Sequence, residues 1–335
     1  MSRFKIEEKS LGKYSTIKLS DDYYGSSIEI AQVGATLLSF IVRTNRGLFN
    51  LIDGYTTDEE LDSGAGCRSW IMAPFTNRLS GNSYKFQGKS YKLGEVDSPI
   101  INGLIAKELF VVENVANLET SMEVTFSCNA LSAKKHDGYP FPVDVFVKYI
   151  FEGNALTVNI SGKNTGKKDA PFCAGWHPYF RVHEKTIDST TLTIPAERLV
   201  LTDFNFIPFR GPMTYTPISN LPGSDFRSCV FQRKRVLGRR QLNVGFSHLT
   251  PGVDGMIVTK MENQETGSSI SIKQKEGVLY AYSGDDLTDR PRTSISFQPM
   301  ESITDAFNRE EEMEMLVLRP GEEREFSIQL EFFQQ

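Results

Sequence analysis

The sequence has few of the features that mark a membrane, secreted or nucleic-acid-binding protein. Its 335 residues include 37 Lys and Arg against 42 Asp and Glu, so no basic excess predicts a nucleic-acid surface. The longest continuous apolar run we find is Val278 to Tyr282, whereas a membrane helix needs about 20 residues. The N-terminal residues mix charges of both signs and lack the apolar segment of a signal peptide. These absences predict a soluble, cytoplasmic protein with no membrane or nucleic-acid partner.

Cysteine is also scarce, and no two of the four cysteines form a CxxC or CxxH pair. They are Cys67, Cys128, Cys173 and Cys229. Disulfide frameworks and structural zinc sites bring their ligands closer together in sequence, so we interpret all four as ordinary core or surface residues. Asp285 and Asp286 are adjacent carboxylates, but no third oxygen ligand stands at a recognisable spacing. We therefore expect a loop there and no metal.

Helical periodicity is limited to residues 57–61 and 309–315, and alternation of apolar and polar residues dominates instead. Every odd position from Val143 to Phe151 is apolar or aromatic, and a second alternating segment begins at Leu156, which predicts a hairpin with a loop of three or four residues. Residues 83–93, 269–273, 293–297 and 326–332 also alternate. Many strands without helical crossovers predict an all-β fold, a large antiparallel β-sandwich that forms one domain over residues 1–335.

Three residues stand in contexts that point to chemistry. His177 lies beside Pro178, which restricts it to extended backbone angles; it is either a core histidine with satisfied ring nitrogens or a proton donor for neutral pH. Glu301 follows an apolar strand, so it either rims a cleft or marks the exit of the strand. Arg78 is either a fork for a substrate or an ordinary salt-bridge partner. Each residue alone leaves both interpretations open.

Five short segments occur in an order that resembles one known family. They are Asn77-Arg78 with the hairpin that follows, Gly175-Trp-His-Pro-Tyr-Phe180, Tyr282-Ser-Gly284, Met300-Glu-Ser302 with Asp305-Ala-Phe-Asn308, and Leu318-Arg-Pro-Gly-Glu322. Together they make the chain similar to the aldose 1-epimerase (galactose mutarotase-like) family, as a divergent member. The resemblance implies a β-sandwich whose open concave face binds a monosaccharide.

The resemblance also implies a role for each matching residue. Glu301 would be the general base that takes the proton from the anomeric hydroxyl, and His177 the acid that protonates the ring oxygen. The ring would then open to the aldehyde and reclose as the other anomer. Arg78 and Asn77 would hydrogen-bond sugar hydroxyls. A carboxylate is ionised at pH 7 and a histidine near its usual pKa of 6.5 exchanges protons readily, so no metal or organic cofactor is needed.

Two positions depart from the pattern of the family. Asn102 stands where the family carries a second histidine; it can donate a hydrogen bond but cannot transfer a proton. Asn243 stands where the family has a sugar-binding aspartate, and it lacks the charge. The departures predict an altered sugar preference or weak activity on ordinary hexoses.

Sugar rings also present C–H patches to aromatic faces, for which Tyr282 with Trp176 or Tyr179 are the candidates.

Two other functions fit part of this pattern. A non-catalytic sugar-binding protein on the same scaffold would account for Asn102 and Asn243, but it has no need of an acid–base pair. A glycoside-processing enzyme needs two carboxylates flanking one bond, and only Glu301 lies in a motif. We therefore interpret the chain as an isomerase of free aldoses. The identity of the sugar, a phosphate on it and the oligomeric state are left open by the sequence.

Overall fold

The computed structural model describes residues 3–96, 99–221 and 235–335, which are built mainly of β-strands. The strands are β1 (Phe4–Leu11), β2 (Tyr14–Asp21), β3 (Ser26–Ala31), β4 (Thr36–Thr44), β5 (Gly47–Asn50), β6 (Trp70–Met72), β7 (Ser83–Phe86), β8 (Lys89–Lys92), β9 (Val111–Asn117), β10 (Met122–Leu131), β11 (Val143–Glu152), β12 (Ala155–Asn164), β13 (Ala170–Pro171), β14 (Gly175–His177), β15 (Tyr179–Phe180), β16 (Thr190–Thr193), β17 (Ala196–Val200), β18 (Tyr215–Pro217), β19 (Arg235–Val236), β20 (Asn243–Leu249), β21 (Ile257–Asn263), β22 (Ser268–Gln274), β23 (Val278–Tyr282), β24 (Ile295–Met300), β25 (Val317–Leu318) and β26 (Glu323–Gln334).

Two large antiparallel sheets form the body of the fold. The nine-stranded sheet runs in the order β19-β16-β21-β22-β26-β12-β11-β10-β9, and the eight-stranded sheet in the order β18-β17-β20-β23-β24-β14-β6 with β15 also paired to β24. The first five strands form a separate sheet in sequence order, and β7-β8 and β13-β25 form two short pairs. The antiparallel β-sandwich predicted from alternation is confirmed.

Strand β11 illustrates how the sequence builds these sheets. Its odd positions from Val143 to Phe151 are buried, and the residues between them are more accessible. Glu152 lies opposite Ala155 in the β11–β12 register, so the hairpin loop has two residues and not the three or four predicted. Gly153 takes a positive φ of 68° in this loop, which the tight turn requires. The side chains of β11 join a hydrophobic cluster that also contains residues of the eight-stranded sheet.

Helices are short, and they lie where helical spacing predicts them. Helix Asp58–Ser63 begins after Thr57, whose hydroxyl accepts a hydrogen bond from the Glu60 N–H. A second helix, Glu310–Met313, continues into the 3₁₀ turn Glu314–Leu316. Further 3₁₀ turns are Ala65–Cys67, Ser80–Asn82, Ile187–Ser189, Gly211–Thr214, Ile218–Asn220 and Ala306–Asn308. None of the helices in the described part of the chain has the length and hydropathy to span a membrane.

Candidate sugar-binding site

A cavity of about 330 Å³ opens on one face of the eight-stranded sheet. Four adjacent strands, β20, β23, β24 and β14, supply its floor, and loops at 66–67, 77–78, 101–102 and 286–287 supply its walls. Seven of the residues selected from the sequence line it, namely Asn77, Arg78, Asn102, His177, Tyr179, Asn243 and Tyr282. Residues up to 205 positions apart in the chain therefore meet at one concave surface.

Two left-handed asparagines fix the wall that carries Arg78. Asn77 and Asn102 have φ of 54° and 60°, a region that asparagine enters more easily than most residues. The Asn102 N–H donates to the Asn77 carbonyl at 2.7 Å, which ties the two loops together. Gly103 follows with φ of 84°, and a Cβ there would lie 2.2 Å from the Ala73 carbonyl oxygen. Glycine is therefore required at position 103 by this close approach.

His177 lies on the cavity floor at the end of β14. Its side chain is 7% exposed, and its Nδ1 lies 3.3 Å from the Ser296 hydroxyl on β24. Burial lowers the pKa of His177 to about 4, and the nearby Arg68 guanidinium lowers it further. The imidazole is therefore neutral at pH 7, with one ring nitrogen as donor and the other as acceptor.

Trp176 does not belong to this cavity. It is 0% exposed and packs edge-to-face against Phe180, with ring centroids 6.2 Å apart. Successive side chains of a strand point to opposite faces, so β14 cannot present both Trp176 and His177 to the cavity. The aromatic wall is formed instead by Tyr179, Tyr280 and Tyr282 with the loop residue Phe206. Of the two candidates that the sequence offered beside Tyr282, the structure therefore places Tyr179 and not Trp176 at the cavity.

Glu301 also lies outside the cavity. One carboxylate oxygen accepts from Arg324 Nε at 2.8 Å and the other from the Ala174 N–H at 2.6 Å. Burial raises the pKa of Glu301, and the Arg324 charge opposes that rise. Arg324 also donates to the Met315 and Phe172 carbonyls, so the ion pair joins separate segments of the fold. The sequence predicted that Glu301 and His177 would meet in one cleft, but Glu301 is not among the residues that line the cavity. Its carboxylate instead holds Arg324 and the backbone of Ala174.

Gln298 occupies the position on β24 that faces the cavity, and sequence reasoning missed it. It lies on the same face of the strand as Ser296, which contacts His177. Gln298 is 2% exposed, and its side-chain Oε1 has no hydrogen-bond partner in the described part of the chain. Alternation along 295–300 was the signal that could have identified it. A buried amide oxygen without a partner is an acceptor available to a ligand.

Carboxylates are nearly absent from the cavity lining. Within the described ranges only Asp286 contributes one, from an exposed turn in which its N–H donates to the Tyr282 hydroxyl at 3.3 Å. Asp285 instead pairs with Arg292 at 2.6 Å. No group of three or more His, Cys, Asp or Glu side chains that could hold a metal occurs in that part of the chain.

One of the cysteines has an unexpected place. Cys67 lines the cavity, and burial raises the pKa of its thiol to about 11, so it is protonated at neutral pH. Cys128 and Cys173 are buried free thiols, as expected of core residues. Cys229 lies outside the described residues.

Comparison with known proteins identifies the family. A model of the aldose 1-epimerase family matches residues 15–331. The chain belongs to the aldose 1-epimerase family. Among curated proteins it is similar to the uncharacterized protein YihR of Escherichia coli K12, with 22% identity over 75% of this chain and 74% of that protein. A second uncharacterized Escherichia coli protein, YphB, is 23% identical over 78% of this chain and 83% of its own length.

Solved structures show that the fold is shared with other members of this family. A galactose mutarotase-like protein from Clostridium acetobutylicum superposes with a TM-score of 0.82 at 14% identity, covering 99% of both chains. The galactose 1-epimerase of Lactobacillus acidophilus superposes with a TM-score of 0.79 at 14% identity, covering 100% of this chain and 99% of that one. Membership of the aldose 1-epimerase family supports a carbohydrate epimerase- or mutarotase-like role and a sugar ligand.

Proposed function

We propose that the cavity binds a monosaccharide ring and that the protein interconverts the α and β anomers of an aldose. The observation that carries this proposal is the meeting of His177 with Arg78 and three asparagines on one open, aromatic-walled surface. A sugar needs both polar partners for its hydroxyls and an apolar face for its C–H patches, and the lining offers both.

Anomer interconversion requires two proton transfers. A base removes the proton of the anomeric hydroxyl, an acid delivers one to the ring oxygen, the C1–ring oxygen bond breaks, and the aldehyde recloses after rotation about C1–C2. His177, the one imidazole among the described lining residues, is the proposed partner of the ring oxygen. Because the resting imidazole is neutral, it first takes up a proton from solvent and then transfers that proton to the ring oxygen. Asp286 is the proposed proton acceptor, since Glu301 is held by Arg324 away from this surface.

A second function is favoured by Gln298. An amide accepts or donates hydrogen bonds but does not take up a proton, and Gln298 lines the cavity together with His177. Asn102 and Asn243 likewise hold ligands without proton transfer. These three amides support a protein that binds a sugar without opening its ring, which is the alternative that the sequence left open.

Anomeric exchange separates the two functions. Exchange NMR of freshly dissolved aldoses would be measured with the wild type, His177→Asn, Asp286→Asn and Gln298→Glu, and sugar binding would be measured in parallel by calorimetry. If the protein is a mutarotase, the wild type accelerates exchange and His177→Asn loses roughly 10²-fold or more of the rate. Asp286→Asn should lose a comparable factor.

The opposite pattern identifies a binding protein. A wild type that binds an aldose without accelerating its exchange, while Gln298→Glu gains a measurable rate, would show that the cavity recognises sugars but lacks a base. Gln298→Glu preserves the shape of the side chain and introduces an ionisable group. A wild type that binds no aldose at all would contradict both functions.

A further inference from the structure

The described lining of the cavity contains one arginine, Arg78, and one carboxylate, Asp286, which lies on an exposed turn. Arg78 extends along the wall, and the Phe206 ring lies over its guanidinium at 5.1 Å. No carboxylate of the described residues lies within ion-pair distance of it. Three other partly buried arginines have carboxylate partners: Arg290, Arg292 and Arg324 lie 2.9, 2.6 and 2.8 Å from carboxylates. Arg78 is therefore a guanidinium in a recess, and the described residues supply no counterion for it.

Two amide side chains of the cavity, Asn77 and Asn243, use their oxygens internally and turn their NH₂ groups to a ligand, whereas Gln298 offers an acceptor, its unpartnered Oε1. Arg78 Nη1 donates to Asn77 Oδ1 at 3.1 Å; a guanidinium can only donate, so Asn77 must turn its NH₂ group away from Arg78. The Tyr280 hydroxyl donates to Asn243 Oδ1 at 2.7 Å, and the Asn243 NH₂ group has no hydrogen-bond partner among the described residues. Two amide oxygens are thus used internally, and the corresponding N–H groups remain for a ligand.

Two other titratable groups of the cavity, His177 and Cys67, add no negative charge that would offset Arg78. His177 is neutral, and the Cys67 thiol is protonated. The Arg78 charge extends across the cavity, because it lowers the pKa of both Cys67 and Tyr280 against the larger effect of burial. Asp286 is the exception, but it lies on an exposed turn next to Tyr282 and is not paired with Arg78.

We propose that the sugar held in this cavity is acidic, an aldose with an anionic substituent that pairs with Arg78. This inference rests on the proposed function and specifies its substrate class. A planar guanidinium binds a carboxylate through two parallel hydrogen bonds, and charge-assisted bonds of this kind are stronger than those to a neutral hydroxyl. A carboxylate or a phosphate group on the sugar would meet the same requirement, and titrations with both kinds of acidic sugar distinguish them.

Binding of matched neutral and acidic sugars tests the proposal. Calorimetric titrations would use D-glucose and D-galactose against D-glucuronate, D-galacturonate and D-glucose 6-phosphate, with the wild type, Arg78→Gln and Arg78→Lys. We expect at least one acidic sugar to bind roughly tenfold or more tightly than its neutral counterpart, and added salt to weaken only the acidic one. Arg78→Gln should remove most of that preference, and Arg78→Lys should retain part of it because it keeps the charge.

Arg46→Gln is the control for net charge, since Arg46 is 57% exposed on another surface and its loss changes the total charge equally. It should leave both affinities unchanged, and far-UV circular dichroism would verify that each variant is folded. If the neutral hexoses bind as tightly as the acidic sugars, or if Arg78→Gln weakens both classes equally, the acidic-sugar proposal is wrong while sugar binding stands. If no sugar of either class binds, the proposed function itself fails.

Discussion

At the scale of single residues, Glu301 shows how a motif can identify a segment correctly and a side chain incorrectly. The motif marks the end of β24, which does lie at the cavity. The side chain that faces the cavity is three residues earlier, at Gln298, because the strand alternates and then turns. Sequence order cannot show which of two nearby polar residues faces inward until the register of the strand is known.

Replacing Glu301 tests its structural role. Glu301→Gln should lower the free energy of unfolding by about 3 kcal/mol, because Arg324 would be left largely buried without its counterion. Glu95→Gln is the control and should have little effect, because Glu95 is 82% exposed and its partner Lys92 is 55% exposed. Chemical denaturation measures both. Near-wild-type stability of Glu301→Gln with complete loss of anomeric exchange would instead support Glu301 as the base.

The buried imidazole of His177 predicts a pH dependence. Its pKa is about 4 in the folded state and about 6.5 in an unfolded chain, so between these values the unfolded state binds more protons. The contribution of His177 to stability is therefore complete above pH 6.5 and is lost as the pH falls towards 4. The largest slope is about 1.4 kcal/mol per pH unit, which is the value for one proton.

His177→Gln should lack that contribution. Denaturation curves of both proteins from pH 4 to 8 would give the difference in unfolding free energy, and the difference should change between pH 6.5 and 4. A wild type and variant whose stabilities run parallel throughout would show that His177 keeps an ordinary pKa. NMR titration of the imidazole gives the same answer directly.

At the scale of elements, alternation in the sequence predicted the antiparallel sandwich and several of its strands. The length of a tight turn, and the face of a strand to which a given side chain points, were harder to predict. The hairpin β11–β12 was located correctly, but its loop proved shorter because Gly153 permits a two-residue turn. The placement of both Trp176 and His177 at the cavity contradicted the same alternation that predicted the strand. The spatial order of the strands, which brings β14 beside β24, depends on long-range packing that no local pattern records.

The loop that carries Asn102 offers a test of local geometry. Gly103→Ala places a Cβ 2.2 Å from the Ala73 carbonyl oxygen at a φ of +84°, so the loop must shift. Gly88→Ala is the matched control, because Gly88 also has a positive φ and a Cβ there meets nothing within 4 Å. We expect Gly88→Ala to cost about 1 kcal/mol of stability and to leave sugar affinity unchanged.

Gly103→Ala should cost more stability than its control and should weaken sugar binding, because Asn102 and the Asn77 loop it bonds would move together. Thermal denaturation and sugar titration of the two variants provide the comparison. Equal effects of the two substitutions would show that the close contact at Ala73 is relieved without disturbing the cavity.

At the scale of the whole molecule, the shared fold at 14% identity shows which features are retained. A TM-score of 0.82 with the Clostridium acetobutylicum protein requires the same sheets, although few side chains are the same. Alternation with a buried apolar face can be kept by many residue combinations. The chemistry of the cavity is held by a handful of positions, so it can change without changing the fold.

One hydrophobic cluster contains side chains of both large sheets, which predicts that the molecule unfolds as a single unit. Both tryptophans, Trp70 in β6 and Trp176 in β14, belong to the eight-stranded sheet, so their fluorescence reports that sheet alone. Far-UV circular dichroism reports all strands. We expect the two denaturation curves to coincide.

Leu156→Ala, a buried position on β12 of the nine-stranded sheet, should cost about 2–5 kcal/mol and shift the tryptophan-detected midpoint as much as the dichroism midpoint. If the fluorescence midpoint stayed in place while the dichroism curve divided into two transitions, the sheets would unfold independently and the single-domain prediction would be wrong.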